Sequence, residues 1–174
     1  MDPLINNNLR APGFSLPDLA GRQYSLDDFH GRVVVINFWS AECPHAARVD
    51  AALLALLENW GEQVALLTIA ANANEPPDLL QQEASRRGLP LVLHDAQQQL
   101  AELYGAQTTP HLFVIDGGGI LRYQGACDDV TFRQRQATQY FLRQAVEALL
   151  AGRLPEPDQT PPYGCSIVRH SFDE

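Results

Sequence analysis

The hydrophobic positions of the chain alternate between short, fully apolar runs and longer stretches with helical spacing. Residues 33–39 are apolar at almost every position, which is typical of a strand covered on both faces. After Cys43, apolar residues recur at helical spacing as far as Trp60, and this spacing predicts a helix that Gly61 ends. A cysteine therefore stands between a buried strand and a long helix.

The same two patterns continue along the chain. Residues 11–29 predict a short β-hairpin before the first buried strand. Further strands are predicted at 64–71, 91–94, 111–115 and 120–123, and further helices at 78–87, 96–104 and 131–151. The resulting order, β-α-β-α-β-α-β-β-α, predicts an α/β sandwich with a central mixed sheet flanked by helices.

The composition changes at both ends of the chain. Residues 1–10 include three consecutive asparagines and predict a flexible N-terminus, and residues 11–152 form the predicted domain. Residues 153–174 contain four prolines, which cannot continue a helix, so an extended proline-rich C-terminal tail is predicted.

The charge of the chain narrows the choice of partners. The formal net charge is −9, and all 12 basic residues are arginines. We therefore expect neither a nucleic acid nor an anionic membrane surface as a partner. The first ten residues lack a signal-peptide pattern, and no apolar run approaches about 18 residues, so a cytoplasmic location is predicted. A periplasmic location would follow if a signal sequence had been removed.

The three cysteines are the main candidates for chemistry, and no cofactor or metal is expected. Cys43 lies at a predicted helix N-terminus, where unpaired N–H groups and the helix dipole stabilise a thiolate. The alternative is a buried, inert cysteine. Cys165 lies in the polar tail, where a thiol is usually accessible, whereas Cys127 follows a strand and is more consistent with a structural role.

Several segments, in this order and spacing, resemble a known superfamily. They are Ala11-Pro12-Gly13-Phe14, Phe38-Trp39, Cys43-Pro44 and residues 107–116 around Thr109-Pro110. Together they resemble thioredoxin-like proteins of the redoxin branch, which contains the alkyl hydroperoxide reductase and thiol-specific antioxidant proteins. Asp95-x-x-Gln98 and Gly164-Cys165 are more narrowly similar to a peroxiredoxin-like subgroup. The resemblance implies a thioredoxin-like three-layer sandwich with the β-hairpin as an N-terminal extension.

The resemblance also implies roles for individual residues. Cys43 would be the redox-active nucleophile, and Pro110 would be a cis proline facing it. Thr109 would present its backbone to an extended substrate chain or to a peroxide pocket. Ser40 matches the Thr or Ser three residues before a peroxidatic cysteine and would hydrogen-bond a peroxide oxygen or the thiolate. His45, if protonated, would further stabilise the thiolate, although a partly exposed histidine is the simpler interpretation.

Two departures from the family pattern affect the mechanism. A peroxiredoxin would carry proline where this chain has Ile36, and its arginine beside the thiolate has no clear counterpart, with Arg48 and Arg122 as the candidates. Ala46 replaces the second cysteine of a C-x-x-C motif, so no neighbour can resolve a disulfide of Cys43. If the tail folds back over the cysteine helix, Cys165 is the candidate resolving thiol, provided that disulfide geometry allows it.

Three functions remain open from the sequence. The first is a peroxiredoxin-like antioxidant enzyme in which Cys43 reduces a peroxide. The second is a monothiol thiol–disulfide oxidoreductase, and the third is a redox-inert binding module with the same fold. For either enzyme we expect a thiol reductant of the thioredoxin or glutathione type, and the resemblance is compatible with a homodimer.

Overall fold

The computed structural model describes residues 5–171 and contains nine strands and four α-helices in that range. The strands are β1 Ser15–Pro17, β2 Gln23–Ser25, β3 Val33–Trp39, β4 Val64–Ala70, β5 Val92–His94, β6 Thr108–Thr109, β7 His111–Ile115, β8 Leu121–Gly125 and β9 Cys165–Ser166. The helices are α1 Pro44–Trp60, α2 Pro77–Arg87, α3 Gln99–Tyr104 and α4 Phe141–Leu150. The predicted α/β sandwich is confirmed.

A five-stranded mixed sheet forms the centre of the fold, with the strand order β5-β4-β3-β7-β8. β3 is the middle strand: it pairs in parallel with β4 and antiparallel with β7. All seven residues of β3 are buried, which explains why its sequence is apolar at every position except Asn37. β1 and β2 form a separate antiparallel hairpin at the N-terminal side, as predicted.

Helices cover both faces of this sheet, which gives three layers. Alternate residues of a strand point to opposite faces, so β3 contributes to two separate parts of the core. Val34, Ile36 and Phe38 pack with α3 and with the hairpin. Val33 and Val35 face α1 and α4 on the other side. The end of β3 that leads to Cys43 is thereby fixed from both faces.

The last helix is shorter than predicted, because it begins at Phe141 rather than at residue 131. The segment before it forms side-chain turns instead of helical hydrogen bonds. The Asp129 carboxylate accepts hydrogen bonds from the backbone N–H and the hydroxyl of Thr138, at 2.9 and 2.5 Å. The hydroxyl of Thr131 accepts from the backbone of Arg133. Such local bonds compete with a helix.

The predicted flexible N-terminus lies partly outside the described residues, in 1–4. Residues 5–10 are packed along the domain. Ile5 is buried, and the backbone N–H of Asn8 donates to Leu121 O of β8 at 2.7 Å. The Asn7 side chain donates to Asp158 O of the tail. Hydrogen bonds to the domain and to its tail therefore hold this segment.

The C-terminal tail is extended, as predicted, and it crosses the domain rather than leaving it. Its short strand β9 pairs antiparallel with β6, so that Cys165 lies opposite Thr109. Ile167 is 6% exposed and packs in the core beside α3. None of the helices in residues 5–171 is both long and apolar enough to cross a membrane.

Candidate active site

Cys43 occupies the N-cap position of α1, where the sequence predicts a thiol at a helix start. Pro44 follows at the first helical position, which suits proline because that residue needs no N–H donor there. The side chain of Cys43 is 3% exposed and packs with Trp39 and Ala46. β3 and α1 therefore hold this sulfur in a sheltered position at the junction of a strand and a helix.

Two groups from distant parts of the chain lie beside the Cys43 sulfur. The carbonyl oxygen of Thr109 is 3.1 Å from it. The Sγ atom of Cys165 is 2.7 Å from it, and both cysteines are free thiols. The tail therefore folds back onto the start of α1, which is the condition under which Cys165 could resolve a disulfide of Cys43.

The surroundings push the pKa values of these two thiols in opposite directions. Burial opposes ionisation of Cys43, but hydrogen bonds from the Cys165 thiol and from the Ala46 backbone outweigh it, so its pKa is lowered. Burial and the neighbouring Cys43 raise the pKa of Cys165 to about 11. Cys43, the more sheltered sulfur, is therefore the thiol of the pair that ionises first.

Thr109 and Pro110 form the loop that faces Cys43, and the peptide bond between them is cis, as the resemblance implies. Thr109 is 1% exposed. Its backbone pairs with Cys165 of the tail. The edge that the resemblance assigns to a substrate chain is thus covered by the protein's own tail.

Ser40 lies three residues before the cysteine, but its hydroxyl is directed to a carboxylate. It donates a hydrogen bond to Glu75 Oε2 at 2.5 Å. The same carboxylate accepts from the backbone N–H groups of Ala41, at 3.1 Å, and Glu42, at 3.3 Å. Glu75 is 5% exposed. It therefore fixes the loop that leads into Cys43, and Ser40 is part of this support.

A second buried network lies on the other side of the same loop. The indole N–H of Trp39 donates to Asp50 Oδ2 at 2.8 Å, and Arg87 donates to the same oxygen at 3.0 Å. Arg87 also donates to the carbonyl oxygen of Ala41 at 2.5 Å. Burial raises the pKa of Asp50 despite these donors. The network ties α1 and α2 to the residues just before Cys43.

The other residues singled out in the sequence have different surroundings. The His45 ring packs edge-on against Tyr163 of the tail, with the ring centroids 5.0 Å apart. Arg48 pairs with Asp128 at 2.7 Å, and Arg122 pairs with Asp116 at 2.8 Å. Both arginines proposed as peroxiredoxin arginines are thus engaged with other carboxylates.

Cys127 lies in the core beside α4, and burial raises the pKa of its thiol to about 12. This position suits the structural role expected of it. Across residues 5–171, no three His, Cys, Asp or Glu side chains converge as a metal site would require.

Sequence reasoning missed Glu75 and Arg87, which hold the loop before Cys43. Neither residue lies in a recognisable motif, and each approaches the loop from a distant part of the chain. In the sequence, Glu75 stands directly before the proline pair at the start of α2. In the structure, this position places its carboxylate beside the loop that follows β3.

Comparison with known proteins identifies the family. Residues 8–124 match the model of the AhpC/TSA family. The chain belongs to this family. The match confirms the redoxin branch expected from the sequence, while the narrower peroxiredoxin-like subgroup stays a prediction.

Curated relatives of this family member have names that refer to disulfide chemistry. The thiol-disulfide oxidoreductase ResA of Geobacillus thermodenitrificans is 35% identical over 111 residues, which are 63% of each chain. The thiol:disulfide interchange protein DsbE of Allochromatium vinosum is 30% identical over 126 residues, 70% of this chain and 66% of that protein. The chain spans just under two thirds of the length of these relatives.

Solved structures support the fold over a longer part of the chain. A hypothetical protein from Sinorhizobium meliloti 1021 has a TM-score of 0.88 and 30% identity, and the match covers 97% of both chains. An uncharacterized conserved protein from Geobacillus kaustophilus has a TM-score of 0.88 and 28% identity, covering 97% of this chain. The confirmed thioredoxin-like architecture therefore extends into the C-terminal tail.

Proposed function

We propose that this AhpC/TSA family member is a thiol–disulfide oxidoreductase whose redox pair is Cys43 and Cys165. The observation that carries the proposal is the 2.7 Å separation of their sulfur atoms. A disulfide bond is about 2.05 Å long, so a small movement of either side chain brings the sulfurs to bonding distance. The names of the ResA and DsbE relatives support this class of chemistry.

In this reaction the two thiols exchange electrons with an external disulfide. The reduced pair gives up two electrons and two protons and becomes the Cys43–Cys165 disulfide, while the external disulfide is cleaved to two thiols. An external thiol reductant reverses the change. Within the pair, Cys43 is the thiol that ionises first, because its pKa is lowered, and Cys165 is the second thiol that Ala46 does not provide.

The other proposed site residues would act through Cys43. Thr109 and Pro110 would shape the pocket beside its sulfur. Ser40 would position the loop through Glu75, and His45 would orient the tail through Tyr163. We therefore assign Ser40 and His45 as positioning residues.

The peroxide reaction expected from the sequence has less support. A peroxide oxygen would need hydrogen-bond donors beside the Cys43 thiolate. The Ser40 hydroxyl donates to Glu75 instead, and Arg48 and Arg122 are paired with aspartates. The predicted peroxide substrate, cytoplasmic location and homodimer stay predictions.

The experiment that tests the proposal equilibrates the protein with mixtures of reduced and oxidised glutathione, followed by acid quenching and peptide mapping. We expect a peptide pair linked through Cys43 and Cys165 that forms and disappears reversibly with the glutathione ratio. The control is Cys127→Ser, which should form the same linkage. The proposal fails if the two sulfurs remain unlinked under conditions that oxidise free thiols.

A further inference from the structure

The two sulfurs of the redox pair differ in their access to solvent. Cys43 is 3% exposed, behind the Thr109 carbonyl and the Cys165 sulfur. Cys165 is half-buried, on a short strand whose next residue, Ser166, is exposed. An external sulfur must approach along the axis of the bond it attacks, so access decides which sulfur reacts.

The tail also closes the route by which an extended chain would approach Cys43. The backbone of Thr109 is already paired with Cys165, so the tail occupies the strand edge that a substrate chain would use. Gly164 packs directly on the Thr109 carbonyl, where a Cβ atom would overlap the oxygen. No second strand can lie there while the tail is in place.

Contacts on both sides of Cys165 hold the tail in that position. Before it, the Thr160 hydroxyl accepts a hydrogen bond from the Ala126 backbone at 2.9 Å. After it, the Gln98 amide donates to Val168 O at 2.7 Å and to Ala71 O at 2.6 Å. Ile167 between them is buried in the core. Displacing the tail would therefore break these hydrogen bonds and expose the Ile167 side chain at the same time.

From this arrangement we infer that external thiols and disulfides exchange at Cys165, and that Cys43 reacts with them only through Cys165. The inference rests on the proposed function and adds which sulfur exchanges electrons with external molecules. It also names the substrate class: low-molecular-weight thiols and disulfides that reach Cys165 from solvent, rather than polypeptides that add a strand to Thr109.

Reduction of the Cys43–Cys165 disulfide consumes two external thiolates. A thiolate RS⁻ forms a bond to the Cys165 sulfur, the Cys43–Cys165 bond breaks, and its electron pair leaves on Cys43 as a thiolate. A second RS⁻ then attacks the R sulfur of the Cys165–S–S–R mixed disulfide, which releases RSSR and a Cys165 thiolate that takes a proton from water. The lowered pKa of Cys43 makes it the better leaving group, in agreement with the geometry.

The sequence makes this inference convenient to test by peptide mapping. Cleavage after arginine places the three cysteines in three different peptides, 33–48, 123–133 and 154–169. The oxidised wild-type protein is mixed with reduced glutathione, quenched with acid during the reaction, and digested. We expect glutathione on the 154–169 peptide at about tenfold or greater excess over the 33–48 peptide. Glutathione mainly on 33–48 would overturn the inference.

A second measurement decides the question if no mixed disulfide accumulates. Cys43→Ser and Cys165→Ser are each prepared with Cys127→Ser, so that one thiol remains, and both react with glutathione disulfide at a pH where each thiol is ionised. We expect the protein that keeps Cys165 to be glutathionylated about tenfold faster or more. Faster reaction of the protein that keeps Cys43 contradicts the inference, and it leaves the proposed Cys43–Cys165 pair intact.

Discussion

The sulfur atoms of Cys43 and Cys165 lie 2.7 Å apart although 122 residues separate them along the chain. One belongs to the N-cap of α1 and the other to the strand β9 of the tail. The fold thus places a second thiol beside the first by long-range strand pairing, where a C-x-x-C motif would do so by local helix geometry. Contacts of the tail should therefore control the chemistry of Cys43.

The thiol of Cys165 should lower the pKa of Cys43 by donating a hydrogen bond to its thiolate. Cys165→Val keeps an apolar side chain of similar size in the strand but removes the donor, so we expect the Cys43 pKa to rise. Cys165→Ser keeps a donor and should leave the pKa lower than in the valine variant. The pH dependence of thiolate absorbance measures both.

In the same titration, the thiolate absorbance of Cys43 in the wild-type protein should rise and level off below the pH at which that of a free thiol does. This direction follows from the lowered pKa of Cys43. Cys127→Val is the control and should not change the profile. An unchanged Cys43 pKa in Cys165→Val would contradict the hydrogen bond.

Gly164 should be essential for docking of the tail, because a Cβ atom there would overlap the carbonyl oxygen of Thr109. We expect Gly164→Ala to displace β9 and to slow formation of the Cys43–Cys165 disulfide by about 10-fold to 100-fold. Gly13→Ala is the matched control, because nothing lies within 4 Å of a Cβ atom at that position. Equal oxidation rates for both variants would mean that the tail does not need this close contact.

Much of the architecture follows from local sequence patterns. The apolar run of β3, the helical spacing after Cys43 and the glycine at its end predict a strand and a helix that the structure confirms. The irregular segment 131–140 is different, because the side chains of Thr131 and of Asp129, just before the segment, accept backbone hydrogen bonds that a helix would use. Apolar residues with helical spacing begin only near the start of α4. The helix predicted from residue 131 is therefore too long at its N-terminal end.

The candidate site likewise contains residues that local motifs predict and residues that only tertiary contacts bring into place. Cys43 and the Thr109–Pro110 pair are recognisable because each belongs to a local motif. The position of Cys165 depends on two-residue strands that carry no periodic signal, and that of Glu75 on a buried carboxylate that accepts from three groups of a distant loop. Such contacts are decided by tertiary packing, which one sequence does not reveal.

Glu75 should stabilise the loop before Cys43 through its bonds to Ser40 and two backbone N–H groups. Glu75→Gln removes the negative charge from a buried acceptor, and we expect a loss of about 2 kcal/mol in the free energy of unfolding, measured by denaturant titration. Glu62→Gln, at an exposed position, should change it by less than about 0.5 kcal/mol.

The Ser40–Glu75 contact can be isolated with a double-mutant cycle. Ser40→Ala and Glu75→Gln share one hydrogen bond, so their combined effect should fall short of the sum by about 1 kcal/mol. Additive effects would show that the Ser40 hydroxyl contributes nothing through Glu75, and would make it available for a substrate.

Hydrogen peroxide should oxidise Cys43 no faster than it oxidises a free thiolate. The donors that the peroxiredoxin resemblance implies are engaged elsewhere, Ser40 with Glu75 and Arg48 with Asp128. Stopped-flow measurement on the reduced protein, with Cys43→Ser as the control, gives the rate. A rate about 100-fold or more above that of a free thiolate would favour the peroxidase function over disulfide exchange.

His111, next to Pro110, should make the fold sensitive to acid. It is 4% exposed, and its Nδ1 accepts a hydrogen bond from the Gln107 backbone at 3.1 Å. Burial lowers the pKa of this imidazole to about 4, against an ordinary value of 6.5. Between these two pH values the unfolded chain binds a proton that the folded protein does not, so stability falls as the pH falls.

The expected contribution of His111 is a loss of about 2 kcal/mol in the free energy of unfolding between pH 7.5 and pH 5. His111→Gln keeps a polar side chain that can accept the Gln107 hydrogen bond but does not titrate, so this variant should lack that part of the pH dependence, whatever its stability at pH 7.5. His30→Gln, at a more exposed histidine near the hairpin, should retain the wild-type dependence. Denaturant titrations at the two pH values measure the difference. If wild type and His111→Gln lose stability equally on acidification, the imidazole is not held neutral by burial, and the loop beside Cys43 is open to water.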